Sequence, residues 1–461
     1  MSQKTLSGKL ISAILATGLL SFGGVLVETA MNITFPILMK EFAIGTATVQ
    51  WMTTVYLLVV AIIVPLSAYL KRSFKMKQLF LTANLLFLIG LLIDIAAPNF
   101  TLLLLGRVVQ GAGVGIALPL MFNIILEQVP MSKIGLMMGV GTLITAVAPA
   151  IGPTFGGLVA ASLGWRYIFV LLVPLLLLSL FLGVRSIEQK SEVALEKFDL
   201  LSFLAIMALF VGLILGIEGL SSHPFFSFNV LGSLVLGVLG LVFLLSRSKR
   251  LEQPIVNLTI LKNPVFAGHV AAFFLFQIVN LGLSFLIPNY VQLVNGADAT
   301  AAGLIVLPGA LLGACFSPFG GTILDRFGAR KPIWLGAGLV LAALIIYAAF
   351  GLHLSNTAIC LIYFLNMVGT GMAFGNIMTN GQKQLTFQER SDANAVFNTL
   401  QQFAGALGTT IAALIVAMSQ VGSALTYSRA TALGSRHAFI LFMLLAGLQL
   451  LILVFVVKKD D

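Results

Sequence analysis

Runs of about twenty apolar residues, broken by short polar stretches, recur along the whole chain. A run of that length crosses the hydrocarbon core of a bilayer as a helix. Fourteen such spans are predicted, near 10–38, 48–70, 78–97, 101–126, 133–161, 165–184, 199–220, 227–246, 263–290, 299–324, 331–353, 356–380, 393–420 and 436–458. The most polar stretch between spans is Ser186 to Phe198, SIEQKSEVALEKF, a natural central linker with six spans before it and eight after. An internal repeat explains the excess. Gly321-Thr-Ile-Leu-Asp-Arg-Phe-Gly-Ala-Arg330 follows span 10, and a degraded counterpart, Ala68-Tyr-Leu-Lys-Arg-Ser-Phe-Lys-Met-Lys77, follows span 2. Leu70 then pairs with Ile323, Phe74 with Phe327 and Lys77 with Arg330. Span 10 is therefore the second of its own set of six. The expected organisation is an all-α polytopic membrane protein: an N-terminal six-helix bundle (1–185), a cytoplasmic linker (186–198), two inserted helices with the loop after them (199–262) and a C-terminal six-helix bundle (263–461).

Composition agrees. The 461 residues are 59% hydrophobic and only 9% charged, against about 25% charged in ordinary soluble domains. A net charge of +10 suggests nucleic acid until its placement is considered. With the N-terminus inside, 21 of the 26 lysines and arginines, among them Lys71, Arg72, Lys249 and Lys331, fall in cytoplasmic loops. Only Lys40, Arg166, Arg429 and Arg436 fall outside, while Arg107 lies within span 4. That asymmetry puts both termini in the cytoplasm; the partner is the lipid bilayer and no nucleic acid is expected. Lys4 and Lys9 precede the first apolar run as in a signal peptide, but the run continues past Val27 with no convincing cleavage site, so it reads as a retained helix.

The chain carries no Walker sequence, nucleophile elbow or zinc spacing. Cys315 and Cys360 sit in apolar segments, and His223, His269, His353 and His437 lie mostly near span ends, as packing and interfacial residues do. Neither an enzyme, a metal site nor a cofactor is expected. What remains is charge inside the spans, expensive enough to be functional by default. Glu28 is the one carboxylate deep in a predicted span, with Asn32 one turn later on the same face. A carboxylate stripped of hydration at that depth suits proton loading and release; the alternative is a structural ion pair with Arg107. By depth the two lie within a few residues of each other, at about 1.5 Å per residue, and Gln110 shares roughly the Arg107 face. Asp94 and Glu218 lie nearer the outer ends of spans 3 and 7, as interfacial charges or coupling sites. In the second half, Gln277, Asn280 and Ser284 line one side of span 9, and Asn394, Asn398 and Gln401 or Gln402 one side of span 13. Such amides either bind a ligand or join helices.

Span 5 is organised differently. Gly135 to Gly157, GLMMGVGTLITAVAPAIGPTFGG, holds six glycines with Pro149 and Pro153. A bilayer helix tolerates this because its neighbours satisfy the freed backbone groups and small residues admit close backbones. The string Pro149-Ala-Ile-Gly-Pro-Thr-Phe-Gly-Gly157 closely resembles the antiporter motif on the fifth helix of major-facilitator drug exporters. Gly106-Arg-Val-Val-Gln-Gly-Ala-Gly-Val-Gly115 resembles the superfamily's arginine motif on helix 4, and Gly321 to Arg330 its signature loop. With fourteen spans, the chain is similar to the fourteen-helix branch of drug:proton antiporters over most of its length, including Asn32 to Pro36, Trp165 to Phe169, Gln253 to Leu258 and Gln401 to Gly408. Two departures stand out. The usual first-helix acid falls at Val27, with Glu28 one residue later, and the first signature loop has Ala68 for Gly and Arg72 for Asp.

The resemblance implies the major-facilitator fold, two bundles rocking around a midplane cavity. In it Glu28, Arg107 and Asp94 would couple protonation to substrate. Gly152, Pro153, Gly156 and Gly157, with Pro149, would let helix 5 pack and bend at the bundle interface. Asp325, Arg326 and Arg330 would latch the cytoplasmic side, and Asn32, Gln110, Gln277, Asn280 and Asn398 would line the cavity. The expected activity is proton-coupled export of amphipathic neutral or cationic drugs from a bacterial plasma membrane, by a monomer with no cofactor beyond the coupling proton. Its rivals are export of one antibiotic, metal-chelated drug or metabolite, and a non-transporting membrane receptor.

Overall fold

A computed structural model describes residues 7–130, 133–189, 193–194, 197–220, 223–251, 254–316, 328–386 and 389–457. Fourteen helices in it are long and apolar enough to cross a membrane. They are α1 (Gly8–Asn32), α2 (Thr46–Ser73), α3 (Met76–Ala96), α4 (Phe100–Gln128), α5 (Ile134–Ser162), α6 (Arg166–Ser186), α7 (Leu200–Gly219), α8 (Phe228–Ser248), α9 (Pro264–Leu293), α10 (Ala299–Phe316), α11 (Arg330–Phe350), α12 (Asn356–Lys383), α13 (Arg390–Gln420) and α14 (Tyr427–Val456). An even number of crossings returns the chain to the side on which it began, so both described ends share one face of the layer. No strand occurs among the described residues.

Two predicted boundaries move. Span 1 stops at Asn32, where the chain turns through Ile33 and Thr34 into a short helix, Phe35–Phe42. Span 14 starts at Tyr427, nine residues before its predicted start, because Arg436 is not in a loop: its Nε donates to the Ala348 carbonyl at 3.2 Å, which keeps a charged residue inside a helix end.

Helices α1 to α6 pack into one bundle around α1, and α9 to α14 into a second around α9. The outward faces carry exposed apolar side chains, as at Leu85, Ile89 and Leu92 on α3 and Leu239 and Val242 on α8. Apolar surface on this scale suits lipid, not water. Helices α7 and α8 form a hairpin whose inner member, α7, lies along the line where α2 of one bundle meets α13 of the other. Stacking of Phe210 on Phe403, ring centres 4.3 Å apart, fixes it to the second bundle.

The two bundles meet along α2 and α13 on one side and along α5 and α10 on the other. Thr46 donates to Gln420 at 2.8 Å, Gln292 to the Ile33 carbonyl at 2.8 Å and Asn32 to Ser284 at 3.2 Å, while Thr54 lies 3.1 Å from Thr410. On the opposite seam Thr154 donates to the Gly303 carbonyl at 3.0 Å. These hydrogen bonds between bundles lie in the half away from the termini.

Candidate functional site

Helix α1 runs antiparallel to α2, and two contacts bracket Glu28. One turn before it, the Gly24 carbonyl accepts from the Tyr56 hydroxyl at 2.9 Å. One turn after it, Asn32 Oδ1 accepts from Thr53 at 2.7 Å. Glu28 therefore lies on the α1 face turned to α2 and α4, the orientation that its one-residue offset from the usual position left open. Glycine at 24 makes this approach possible: a Cβ there would stand 2.9 Å from a methyl of Val114 on α4 and 3.2 Å from the Tyr56 hydroxyl.

Arg107 enters the same space from α4. Its guanidinium covers the Tyr56 ring at 4.1 Å, Nε donates to the Met52 carbonyl at 3.1 Å and Nη1 to Gln110 Oε1 at 2.7 Å. Gln110, one turn on, passes the connection to α3 by donating to Asp94 Oδ2 at 2.8 Å. This corrects the placement of Asp94. Nearness to the helix end left it open between an interfacial charge and a coupling site; its side chain is wholly buried, so it is not at the interface and Glu28 is not alone among deep carboxyls. The reason is packing: α3 and α4 approach through Gly90 and Gly106, and a Cβ at Gly106 would run into the Asp94 carboxyl.

No hydrogen bond or ion pair joins Glu28 to a described residue, and Arg107 acts on it only through space. The structural pair between them is not formed in this conformation. Glu28 is buried with them, at 7% exposure against none for Arg107 and Asp94. Asp94 Oδ1 and Arg107 Nη2 have no partner. Charges at mid-membrane cost about 2.5–3.5 kcal/mol each on insertion scales. Three of them approach the whole net stability of a domain, about 5–15 kcal/mol, and packing alone does not require them. Tyr56 was missed by the sequence reading; a phenol among the apolar residues of span 2 was the available signal.

Helix α5 is held between bundles by its small residues. A Cβ on Gly156 would lie 2.8 Å from the Ala30 Cα, and one on Gly152 3.1 Å from the Leu26 carbonyl, both on α1. Gly157 faces the other way, where a Cβ would lie 3.3 Å from the Thr300 Cα of α10. From α10, Gly303 meets the Pro153 carbonyl and Thr154 in return. Pro149 and Pro153 both lie inside the continuous helix.

The predicted cavity residues have mixed situations. Asn32 and Gln110 are committed to the bonds above, and Asn398 donates to the Asn394 carbonyl of its own helix at 2.9 Å. Gln277 is buried with its carbonyl oxygen unpaired, and Asn280 is half-buried. His269, expected at an interface, is fully buried and bonded to Asn380 at 2.8 Å. Of the cytoplasmic latch, Asp325 and Arg326 lie outside the described residues, and the Arg330 guanidinium covers Trp334 at 4.0 Å. No cluster of metal-ligating side chains occurs among the described residues.

The profile of the Major Facilitator Superfamily matches residues 17–409. The chain belongs to that superfamily. It is a transporter, not an enzyme, and a multi-pass membrane protein. It is 37% identical over 454 residues, 96% of this chain and 95% of the relative, to the lincomycin resistance protein LmrB of Bacillus subtilis (strain 168). It is 26% identical, over 84% of this chain and 73% of the relative, to the multidrug resistance protein B homolog of Mycobacterium tuberculosis (strain CDC 1551 / Oshkosh). Among solved structures, a bacterial homolog of the human lysosomal transporter Spinster, inward-facing and occupied, superposes with a TM-score of 0.72 at 15% identity, covering 98% of this chain and 97% of the other. The last likeness bears on the fold alone.

Proposed function

We propose that this major-facilitator transporter is a proton-coupled efflux antiporter for amphipathic drugs, neutral or cationic. The observation that carries the reading is the buried carboxyl of Glu28, which has no hydrogen bond or ion pair with a described residue and lies within the field of Arg107. Two carboxyls share one guanidinium, so with both ionised the group is net negative. A proton or a cationic drug cancels that charge, and two ligands that satisfy the same charge compete. Competition for one site across two access states is what an antiporter requires. One proton crossing 100 mV supplies about 2.3 kcal/mol, against about 1.4 kcal/mol per tenfold gradient. One titrating carboxyl therefore supports accumulation of a neutral drug by roughly 1.6 decades. The relatives' names, lincomycin and multidrug resistance, support antibiotics as the substrate class over a single metabolite. Purified protein in liposomes with an imposed pH gradient should move lincomycin or a cationic dye uphill. Downhill leakage alone, unaffected by an uncoupler, would dismiss coupling.

The location in this reading is the bacterial plasma membrane, with both termini in the cytoplasm and a monomer as the working unit. Lys197→Cys, in the linker, should react only with reagents admitted to the cytoplasm, and Phe226→Cys, in the exposed α7–α8 turn, only from outside. Reversed labelling would invert the direction of transport.

A further inference from the structure

The loop that leaves the α7–α8 hairpin folds back on itself. Ser248, the last residue of α8, donates its hydroxyl to the Val256 carbonyl at 3.1 Å and accepts from the Leu258 amide at 3.0 Å. The returning segment Leu258–Lys262 turns as a short 3₁₀ helix into α9. Between it and the end of α8 lies a cavity of about 220 Å³ lined by Leu245, Ser248, Lys249, Leu258, Thr259, Leu261 and Lys262. Drug-sized sites run to roughly 300–1,000 Å³, so a smaller, polar group fits this one.

The cavity's charge is uncompensated. Arg247, beside it, is neutralised by Asp199, which accepts from Nε and Nη2 at 2.9 and 2.7 Å. Nearby Asp392 is occupied by Asn257 at 2.8 Å. Lys249 and Lys262 both line the cavity and are in no ion pair with a described residue, and a recess flanked by two lysines favours an anion. The way in is apolar: Val238 and Leu241, at helical spacing from Leu245, are exposed on the lipid side of α8. The cavity sits at the end of a membrane-crossing helix, where phospholipid phosphates lie.

We propose that Lys249 and Lys262 bind the phosphate of an anionic phospholipid whose acyl chain lies along Val238, Leu241 and Leu245. The inserted hairpin would then be tied to the second bundle through a lipid.

Native mass spectrometry of the full purified chain with added phosphatidylglycerol or phosphatidylcholine tests this. Wild type should retain phosphatidylglycerol preferentially. Lys249→Gln with Lys262→Gln should lower that retention on the order of tenfold or more and leave phosphatidylcholine retention, a check on folding, unchanged. The paired arginine substitutions should restore it, and Arg250→Gln, next in sequence but outside the cavity lining, should stay near wild type. Equal retention by wild type and the double glutamine variant would overturn the site. Binding of inorganic phosphate or glycerol phosphate as tight as that of phosphatidylglycerol would overturn the lipid as its occupant.

Discussion

Glu28→Gln should bind a neutral drug with near wild-type affinity and fail to concentrate it. In liposomes under a pH gradient, the steady-state drug ratio should fall from the tens that one proton per 100 mV can sustain to about one. Glutamine keeps the size and hydrogen-bonding capacity of the side chain and removes its titrating proton, so the loss would lie in coupling and not in folding. Because Glu28 makes no hydrogen bond or ion pair with a described residue, the substitution should also leave thermal stability within about 0.5 kcal/mol. Glu28→Asp should keep part of the activity at reduced reach. For cationic drugs the charge also contributes to binding, so affinity and uphill transport need separate measurement. Uphill export at the wild-type rate and stoichiometry would pass the coupling role to Asp94, whose buried carboxyl is already joined through Gln110 to Arg107.

Gly156→Leu should insert and reach the membrane but lose export to background. A first carbon at this position would already stand 2.8 Å from the Ala30 Cα, and the neighbour is backbone, which cannot rotate aside. Overpacking of this kind costs about 1–3 kcal/mol or more, a factor of roughly 5 to 150 in the population of the packed state. Gly156→Ala should be intermediate. Gly338→Leu on α11 is the matched control, since nothing lies within 4 Å of the carbon it would add; its export should stay within about twofold of wild type. Membrane abundance measured beside dye efflux separates insertion from function. Full efflux by Gly156→Leu would mean that α1 and α5 need not stay in contact during transport.

Fourteen membrane-crossing helices and the charges inside them were legible in the sequence because each depends on local quantities. Apolar run length sets a span, loop lysines set orientation, and a carboxylate in an apolar run is conspicuous wherever it points. The proline and glycine pattern of α5 likewise announced a close helix contact, though not its partners. Which face of α1 carries Glu28, and what meets it, depended on α2 and α4 arriving from 21 and more residues away. The burial of Asp94 followed from Gly90 and Gly106 drawing α3 and α4 together, a pairing that distance from a helix end does not encode. Tyr56 became part of the site only because Gly24 accepts its hydroxyl and Arg107 covers its ring. A sequence determines what a helix can tolerate in a bilayer; which helix supplies the partner for each polar group is decided when the backbones pack.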